Sequence, residues 1–238
     1  MKAMILAAGR GARLRPLTDK LPKALVEVAG EPLLAIVMRR LAAAGVREVV
    51  INLHHLGGMV EAWIARHGTM GMNVLFSHEP ELLDTGGALK HAAWFFDDER
   101  PFLVHNVDVL SDIDLGAMVR EHERLRSLAT LACMERETAR PLLFDTQGAL
   151  CGRRTGSGDA VVRPPSGELV PLGFCGIHVI EPALVRTLSG KGAFSIIETY
   201  LEIAAGRQDG PAGIRAFRAD GCRWRDAGRL EDLRPLGA

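Results

Sequence analysis

Residues able to handle phosphate crowd one stretch near the start of the chain. Leu6-Ala7-Ala8-Gly9-Arg10-Gly11-Ala12-Arg13-Leu14-Arg15-Pro16-Leu17-Thr18 is followed by Leu21-Pro22-Lys23-Ala24-Leu25. Gly9 and Gly11 come directly after an apolar run, and glycine lets a backbone turn tightly and bring N–H groups close to a ligand. Arg13, Arg15 and Lys23 add fixed positive charge. Amide donors plus cations are what a polyphosphate requires. Two familiar glycine loops are excluded. A P-loop needs Gly-Lys-Ser/Thr, whereas Gly11 is followed by Ala12-Arg13, and a dinucleotide fingerprint needs a third glycine where Leu14 stands. Glycines that only turn the chain would not call for cations and prolines beside them.

Other groups are placed to meet that loop. Asp108 closes Val104-His105-Asn106-Val107-Asp108, and a carboxylate at the C-terminal end of a parallel strand reaches the sheet edge where ligands bind. Taken alone, an aspartate there is more readily a turn or cap residue than a metal ligand. Asp226 lies in Arg223-Trp224-Arg225-Asp226-Ala227-Gly228, and Leu83-Asp84-Thr85-Gly86-Gly87-Ala88-Leu89 opens a helical pattern. Uncovered amides at such a helix start suit an anion, although, taken alone, a Thr85 N-cap with close helix–sheet packing explains the segment better. His54, His55 and His78 lack ligand spacing and read as surface or core residues.

The elements that must position these groups alternate through the first half. Lys2–Leu6, Glu48–Leu53, Asn73–Ser77 and Pro101–His105 read as buried strands. Pro32–Ala44, Leu56–His67, Gly86–Phe96 and Leu115–Leu125 carry helical stripes, with Gly45 as a stop and Asp114 as a cap. This rhythm implies a parallel sheet covered by helices. The second half changes to short strands: Leu128–Met134, Leu142–Phe144, Ala149–Arg153, Ala160–Arg163 and Phe174–Ile180. Helices return at Pro182–Leu188 and Ile196–Ala205. Ile214–Phe217 and Arg223–Arg225 are last strands before a short closing helix near Leu230. The expected fold is α/β: a mixed, mostly parallel sheet with helices on both faces and a small antiparallel appendage.

The chain has 238 residues, 47% hydrophobic and 24% charged, with 29 basic and 29 acidic side chains. Such a balance excludes a charged disordered tail and argues against a nucleic-acid binder that works by charge. No run of 18 apolar residues suggests a membrane span. Cys133, Cys151, Cys175 and Cys222 lie far apart, with no zinc-like pair. No signal peptide is visible. These features predict a reduced, cytoplasmic protein, and no motif bears on oligomeric state.

The run from Met4 to Pro32 resembles the signature of the sugar-1-phosphate nucleotidylyltransferases. That family carries L-A-A-G-x-G-x-R-L-x-P-L-T, then P-K-x-L and G-x-P, here Leu6–Thr18, Pro22–Leu25 and Gly30–Pro32. The resemblance implies a Rossmann-like nucleotidyltransferase fold and the reaction NTP plus sugar 1-phosphate giving NDP-sugar plus pyrophosphate. It implies Leu6, Ala8, Gly9, Gly11, Ala12, Arg13 and Lys23 as nucleotide-binding residues, with Glu79 and Gly86 on the base side. Asn106, Gly176 and Glu198 would bind the sugar substrate, with Arg153 a further candidate for its phosphate. Arg13, Lys23 and Asp108 would be catalytic. Asp108 and Asp226, the latter in a W-x-D-x-G setting, would hold Mg²⁺, leaving open positions for phosphate oxygens. Val107 departs from the Gly or Ala more usual before the first aspartate.

Such chemistry needs no general base, because a sugar 1-phosphate, with a second pKa of about 6, is already anionic at neutral pH. The difficulty is repulsion between two polyanions and charge growth on pyrophosphate, which fixed cations answer by positioning and electrostatics. Longer relatives carry a C-terminal left-handed β-helix, and no hexapeptide repeat occurs here. One catalytic domain over residues 1–238 is therefore expected. The L-D-T-G-G segment and compact tail resemble short N-acetylmuramate 1-phosphate uridylyltransferases. Mannose- or heptose-1-phosphate guanylyltransferases and phosphocholine-type cytidylyltransferases are alternatives, and a non-catalytic nucleotide-sugar sensor is another. A sensor would be expected to lose Lys23 or an aspartate.

Overall fold

A computed structural model describes residues 1–206 and 213–233. Its elements, in chain order, are β1 (Lys2–Leu6), β2 (Glu27–Val28), β3 (Glu31–Pro32), α1 (Leu33–Ala43), β4 (Glu48–Leu53), α2 (Gly57–His67), β5 (Asn73–His78), α3 (Asp84–His91), β6 (Phe102–Asn106), β7 (Val109–Ser111) and α4 (Leu115–Leu125). There follow β8 (Ala129–Met134), β9 (Leu142–Phe144), β10 (Leu150–Thr155), β11 (Gly158–Val161), β12 (Val170–Ile180), α5 (Pro182–Arg186), α6 (Ile196–Gly206), β13 (Ile214–Arg218) and β14 (Trp224–Asp226).

Among the described residues ten strands share one sheet, with β6, β1, β4 and β5 parallel neighbours. Strand β12 runs antiparallel to β6 and carries both β8 and β9. The antiparallel part is thus a continuation of the sheet through one long strand, with β9, β10 and β11 at its far edge. Alternation along β1 assigns the two faces. Ala3 and Ile5 pack with Leu34, Val37 and Leu41 of α1 and with Ile64 of α2, whereas Met4 packs with Leu89 of α3, Leu184 of α5 and Tyr200 of α6. Side chains of successive strand residues point to opposite faces, so one apolar strand serves both cores.

Three differences from the sequence reading matter for the site. The helix expected over Gly86–Phe96 starts earlier, at Asp84, and ends at His91, with a separate tight turn over Ala93–Phe95. Thr85 does not cap it. Its Oγ1 accepts from the Ile196 amide (3.0 Å), so the hydroxyl joins α3 to α6. Two short antiparallel pairs form, β2 with β3 and β7 with β14; β14 answers to the strand expected at Arg223–Arg225, while β2, β3 and β7 lay below the length at which periodicity is visible. The second pair sets Asp226 opposite Val109, next to Asp108.

Three histidines are buried and held neutral. Burial pushes His105 and His122 down to about 4 and His178 to about 3. His105 Nδ1 donates to the Asn106 carbonyl (2.8 Å), and His122 lies between Thr130 and Glu181. An unfolded histidine titrates near 6.5. Between that pH and about 4 the unfolded chain takes up protons that the folded chain does not, so stability is full above 6.5 and is lost as pH falls. Urea midpoints measured from pH 7 to 4 should show that loss. His122→Gln should flatten the slope by up to about 1.4 kcal/mol per pH unit; an unchanged slope would mean that His122 is protonated in the fold.

Candidate active site

The site lies where the connections diverge. From β1 the chain crosses to β4 on one side and later returns to β6 on the other, so Leu6 has Asn52 and Asn106 as its two neighbours. A sheet opens a crevice at the strand C-termini where its order reverses. The Val107 amide donates to the Leu6 carbonyl (3.1 Å), which ties the loop after β6 to the loop after β1.

The glycine loop is pinned from below. Leu14 is fully buried and anchors a tight turn over Ala12–Leu14. The leading N–H groups of such a turn have no partner within it, which leaves them for an anion. Gly11 precedes it with φ of 61°, and a Cβ there would lie 2.8 Å from Thr18 Cγ2 and 3.3 Å from Lys23 Cβ. Thr18 Oγ1 donates to the Gly11 carbonyl (2.8 Å). Glycine at 11 therefore allows the loop to lie directly on the stem of Lys23. Buried Ala24 and Leu25 hold the Lys23 turn in place.

Four charges converge above this platform. Lys23 Nζ donates to Asp108 Oδ2, with both side chains largely buried at 14% and 12% exposure. Arg13 Nη2 stands 3.6 Å from Asp226 Oδ2. Gly228 marks the meeting point: a Cβ there would lie 2.6 Å from Arg13 Nη2, 2.6 Å from Asp226 Oδ1 and 3.2 Å from Asp108 Oδ2. The Gly228 amide also donates to Asp226 Oδ1 (2.8 Å), and the Ala227 amide donates to the Asp108 carbonyl (2.8 Å). The sequence reading held Gly228 only as part of a motif; its role is to leave room.

Burial, and then the charge of Asp108, push the Asp226 carboxyl above its ordinary range. Two hard oxygen donors, close enough that the charge of one raises the pKa of the other, suit a hard dication. Among the described residues no cluster of three or more His, Cys, Asp or Glu forms, so two carboxylates would leave a cation's other positions to phosphate and water. The residues present fit Mg²⁺.

Two clefts meet here. The smaller, about 360 Å³, is lined by Leu6, Ala8, Gly9 and Lys23 below Glu79 and Asp108. Asn52, missed in the sequence, also lines it and organises it. Asn52 Oδ1 accepts from the Ala7 amide (2.7 Å), and its Nδ2 donates to Glu79 Oε1 (2.7 Å). Glu79 is buried and accepts in turn from the Leu83 amide (3.1 Å). Glu79 thus braces the wall of the cleft. Gly86 is placed differently from expectation. Its amide and that of Gly87 donate to the Phe194 carbonyl (2.9 and 3.3 Å), and a Cβ would fall 2.4 Å from the Phe194 ring. The helix start is therefore covered by Phe194, and Asp84 and Thr85 line the cleft instead.

The larger cleft, about 700 Å³, shares Asn106, Asp84 and Thr85 with the first. Glu198 and Arg153 both line it and form an ion pair. Gly176 does not line it. With φ of 74°, it sits 2.9 Å, at its would-be Cβ, from Asn106 Nδ2 and Val109 Cγ2, so it makes room for Asn106 at the junction.

Comparison with known proteins finds a family model described as nucleotidyl transferase matching residues 2–144. A relative from Caulobacter vibrioides, named N-acetylmuramate alpha-1-phosphate uridylyltransferase, is 36% identical over 212 residues, covering 85% of this chain and 84% of its own. A mannose-1-phosphate guanyltransferase from Yarrowia lipolytica is 30% identical over 237 residues, or 98% of this chain and 62% of the relative. Among solved structures, HddC from Yersinia pseudotuberculosis complexed with GMP-PN aligns with a TM-score of 0.74 at 21% identity, covering 98% of this chain and 96% of that one. A UDP-glucose pyrophosphorylase complexed with UDP-glucose aligns at 0.78 and 17% identity, covering 98% and 95%. These two likenesses concern the fold.

Gly228→Ala supplies a direct check of the geometry. The added methyl must displace Arg13 or a carboxylate, and misplacement on the ångström scale costs about 10²-fold in rate. Turnover should fall about 10- to 100-fold with the melting temperature little changed. Full activity in that variant would contradict the convergence at Gly228.

Proposed function

We propose, for a chain that belongs to the nucleotidyl transferase family, that it joins an NTP to a sugar 1-phosphate and releases pyrophosphate, with UTP and N-acetylmuramate 1-phosphate as the pair. The observation that carries the reading is the four-charge cluster of Arg13, Lys23, Asp108 and Asp226, of which Lys23 and Asp108 line the smaller cleft. The triphosphate lies on the Gly9–Arg13 loop, and the sugar occupies the larger cleft. An oxygen of the sugar phosphate attacks the α-phosphorus. The bond from that phosphorus to the β-phosphate oxygen breaks, and pyrophosphate departs with its electrons. No proton has to move.

Arg13 and Lys23 receive the growing charge on the leaving group. Lys23 is paired with Asp108, and a cation held by that carboxylate would leave the ammonium free for phosphate oxygens. When bound between Asp108 and Asp226, Mg²⁺ would supply charge neutralisation and alignment of phosphate oxygens. Asn106, held by Gly176, stands at the boundary where the two substrates meet. The uridylyl and muramate assignments draw support from the Caulobacter relative and from a second protein of that name in Neisseria meningitidis, 48% identical over 118 residues, about half of each chain. The Yarrowia relative supports guanylyl transfer to mannose 1-phosphate as the second reading. Retention of Lys23 and both aspartates favours an enzyme over a sensor.

Pyrophosphate release with four NTPs, each tried against several sugar 1-phosphates and phosphocholine, tests the assignment. UTP with N-acetylmuramate 1-phosphate should have the highest kcat/KM. Release with GTP and mannose 1-phosphate alone would replace the substrate pair, and no release with any pair would leave the sensor.

A further inference from the structure

The larger cleft has more positive charge than a neutral sugar needs. Four arginines line it: Arg136, Arg140, Arg153 and Arg154. Two are neutralised within the protein. Arg153 pairs with Glu198, and Arg154 forms a two-pronged bond with Asp159 (2.6 and 3.1 Å). Arg140 has no ion pair or side-chain hydrogen bond among the described residues. Arg136 is fixed yet unsatisfied. Its guanidinium stacks on the Trp224 ring at 4.2 Å, its Nη2 donates to the Phe174 carbonyl (2.8 Å), and its Nη1 donates at longer range to the Glu137 carbonyl (3.4 Å). Its Nε is buried without a partner. Gly173 leaves the space for it, since a Cβ there would come 2.7 Å from that side chain.

The phosphate of a sugar 1-phosphate does not account for this pair. Lys23 and Asp108 line the smaller cleft, and the two clefts join only at Asn106, Asp84 and Thr85. Arg136 and Arg140 belong to the larger cleft alone. The carboxylate of Asp84 is at the junction and already accepts from the Thr85 amide (2.6 Å). Hydroxyl and amide groups of a neutral sugar would leave two guanidinium groups uncompensated, and the trimethylammonium end of phosphocholine would be repelled. A carboxylate matches the planar donor fork of arginine.

We propose that this cleft selects a sugar 1-phosphate bearing a second anionic group, a carboxylate, which Arg136 and Arg140 receive. The proposal rests on the transferase reading above and deepens it, since a muramate differs from N-acetylglucosamine by a lactyl ether that carries such a carboxylate. Arg136 is the pre-set anchor, and Arg140, exposed and without a side-chain partner among the described residues, is the second donor.

The experiment compares kcat/KM for N-acetylmuramate 1-phosphate and N-acetylglucosamine 1-phosphate with the NTP that supports turnover. The wild-type chain should favour the carboxylated sugar. Arg140→Ala, at an exposed position, should lower that ratio about 10- to 100-fold through KM, the scale of a lost charge-assisted hydrogen bond. Arg140→Lys should restore part of it. A wild-type preference for the neutral sugar, or equal losses with both sugars in Arg140→Ala, would overturn the proposal. Absence of turnover with every sugar 1-phosphate would instead sink the transferase reading. Calorimetric binding of the same two compounds would then test the cleft: a preference lost in Arg140→Ala supports the proposal, and equal affinities overturn it.

Discussion

The contact between Lys23 and Asp108 joins the two halves of the site. Lys23 comes from the loop after β1, and Asp108 follows β6, its parallel neighbour. A largely buried lysine without a counter-charge would be costly, and so would the aspartate. Each makes the other tolerable. Together with Arg13 and Asp226 they form a cluster with no net charge, which lets a fold of zero formal charge hold a polyanion site. The whole-chain balance excludes an extended basic surface, while the local cations remain available to any ligand that draws the aspartates away.

That cluster explains why the end of the described chain returns to the beginning. Strand β14 pairs with β7 over only three residues, yet this pairing carries Asp226 to Asp108 and puts Gly228 beneath Arg13. A single methyl at that position would separate the groups. The same economy holds elsewhere. Gly11 lies on the stem of Lys23, Gly176 makes room for Asn106, and Gly173 makes room for Arg136. The glycines that matter are those against which a functional side chain lies.

Much of this was legible because it is local. The glycine loop, its cations and the βα alternation are written in consecutive residues, and Asp108 follows its strand directly. The residues that escaped depend on distant partners. Asn52 looks like an ordinary strand end, and its value comes from standing beside Leu6 across the sheet. Gly86 has the composition of an open helix start, but Phe194, far along the chain, covers its amide. Gly228 acquires its meaning only from Arg13 and Asp108. Thr85 has the chemistry of a cap, and α6 draws its hydroxyl away. Local rules describe what a segment can do alone, and tertiary contacts decide which of those options is used.

Asp108 and Asp226, beside Lys23 and Arg13, are proposed to form one seat for a divalent cation. Titration of the nucleotide-free protein with Mn²⁺, followed by electron paramagnetic resonance, reads that seat without relying on turnover. One bound ion per wild-type chain is expected, with loss of that binding when both aspartates are replaced by asparagine. Unchanged Mn²⁺ binding in the double variant would contradict it.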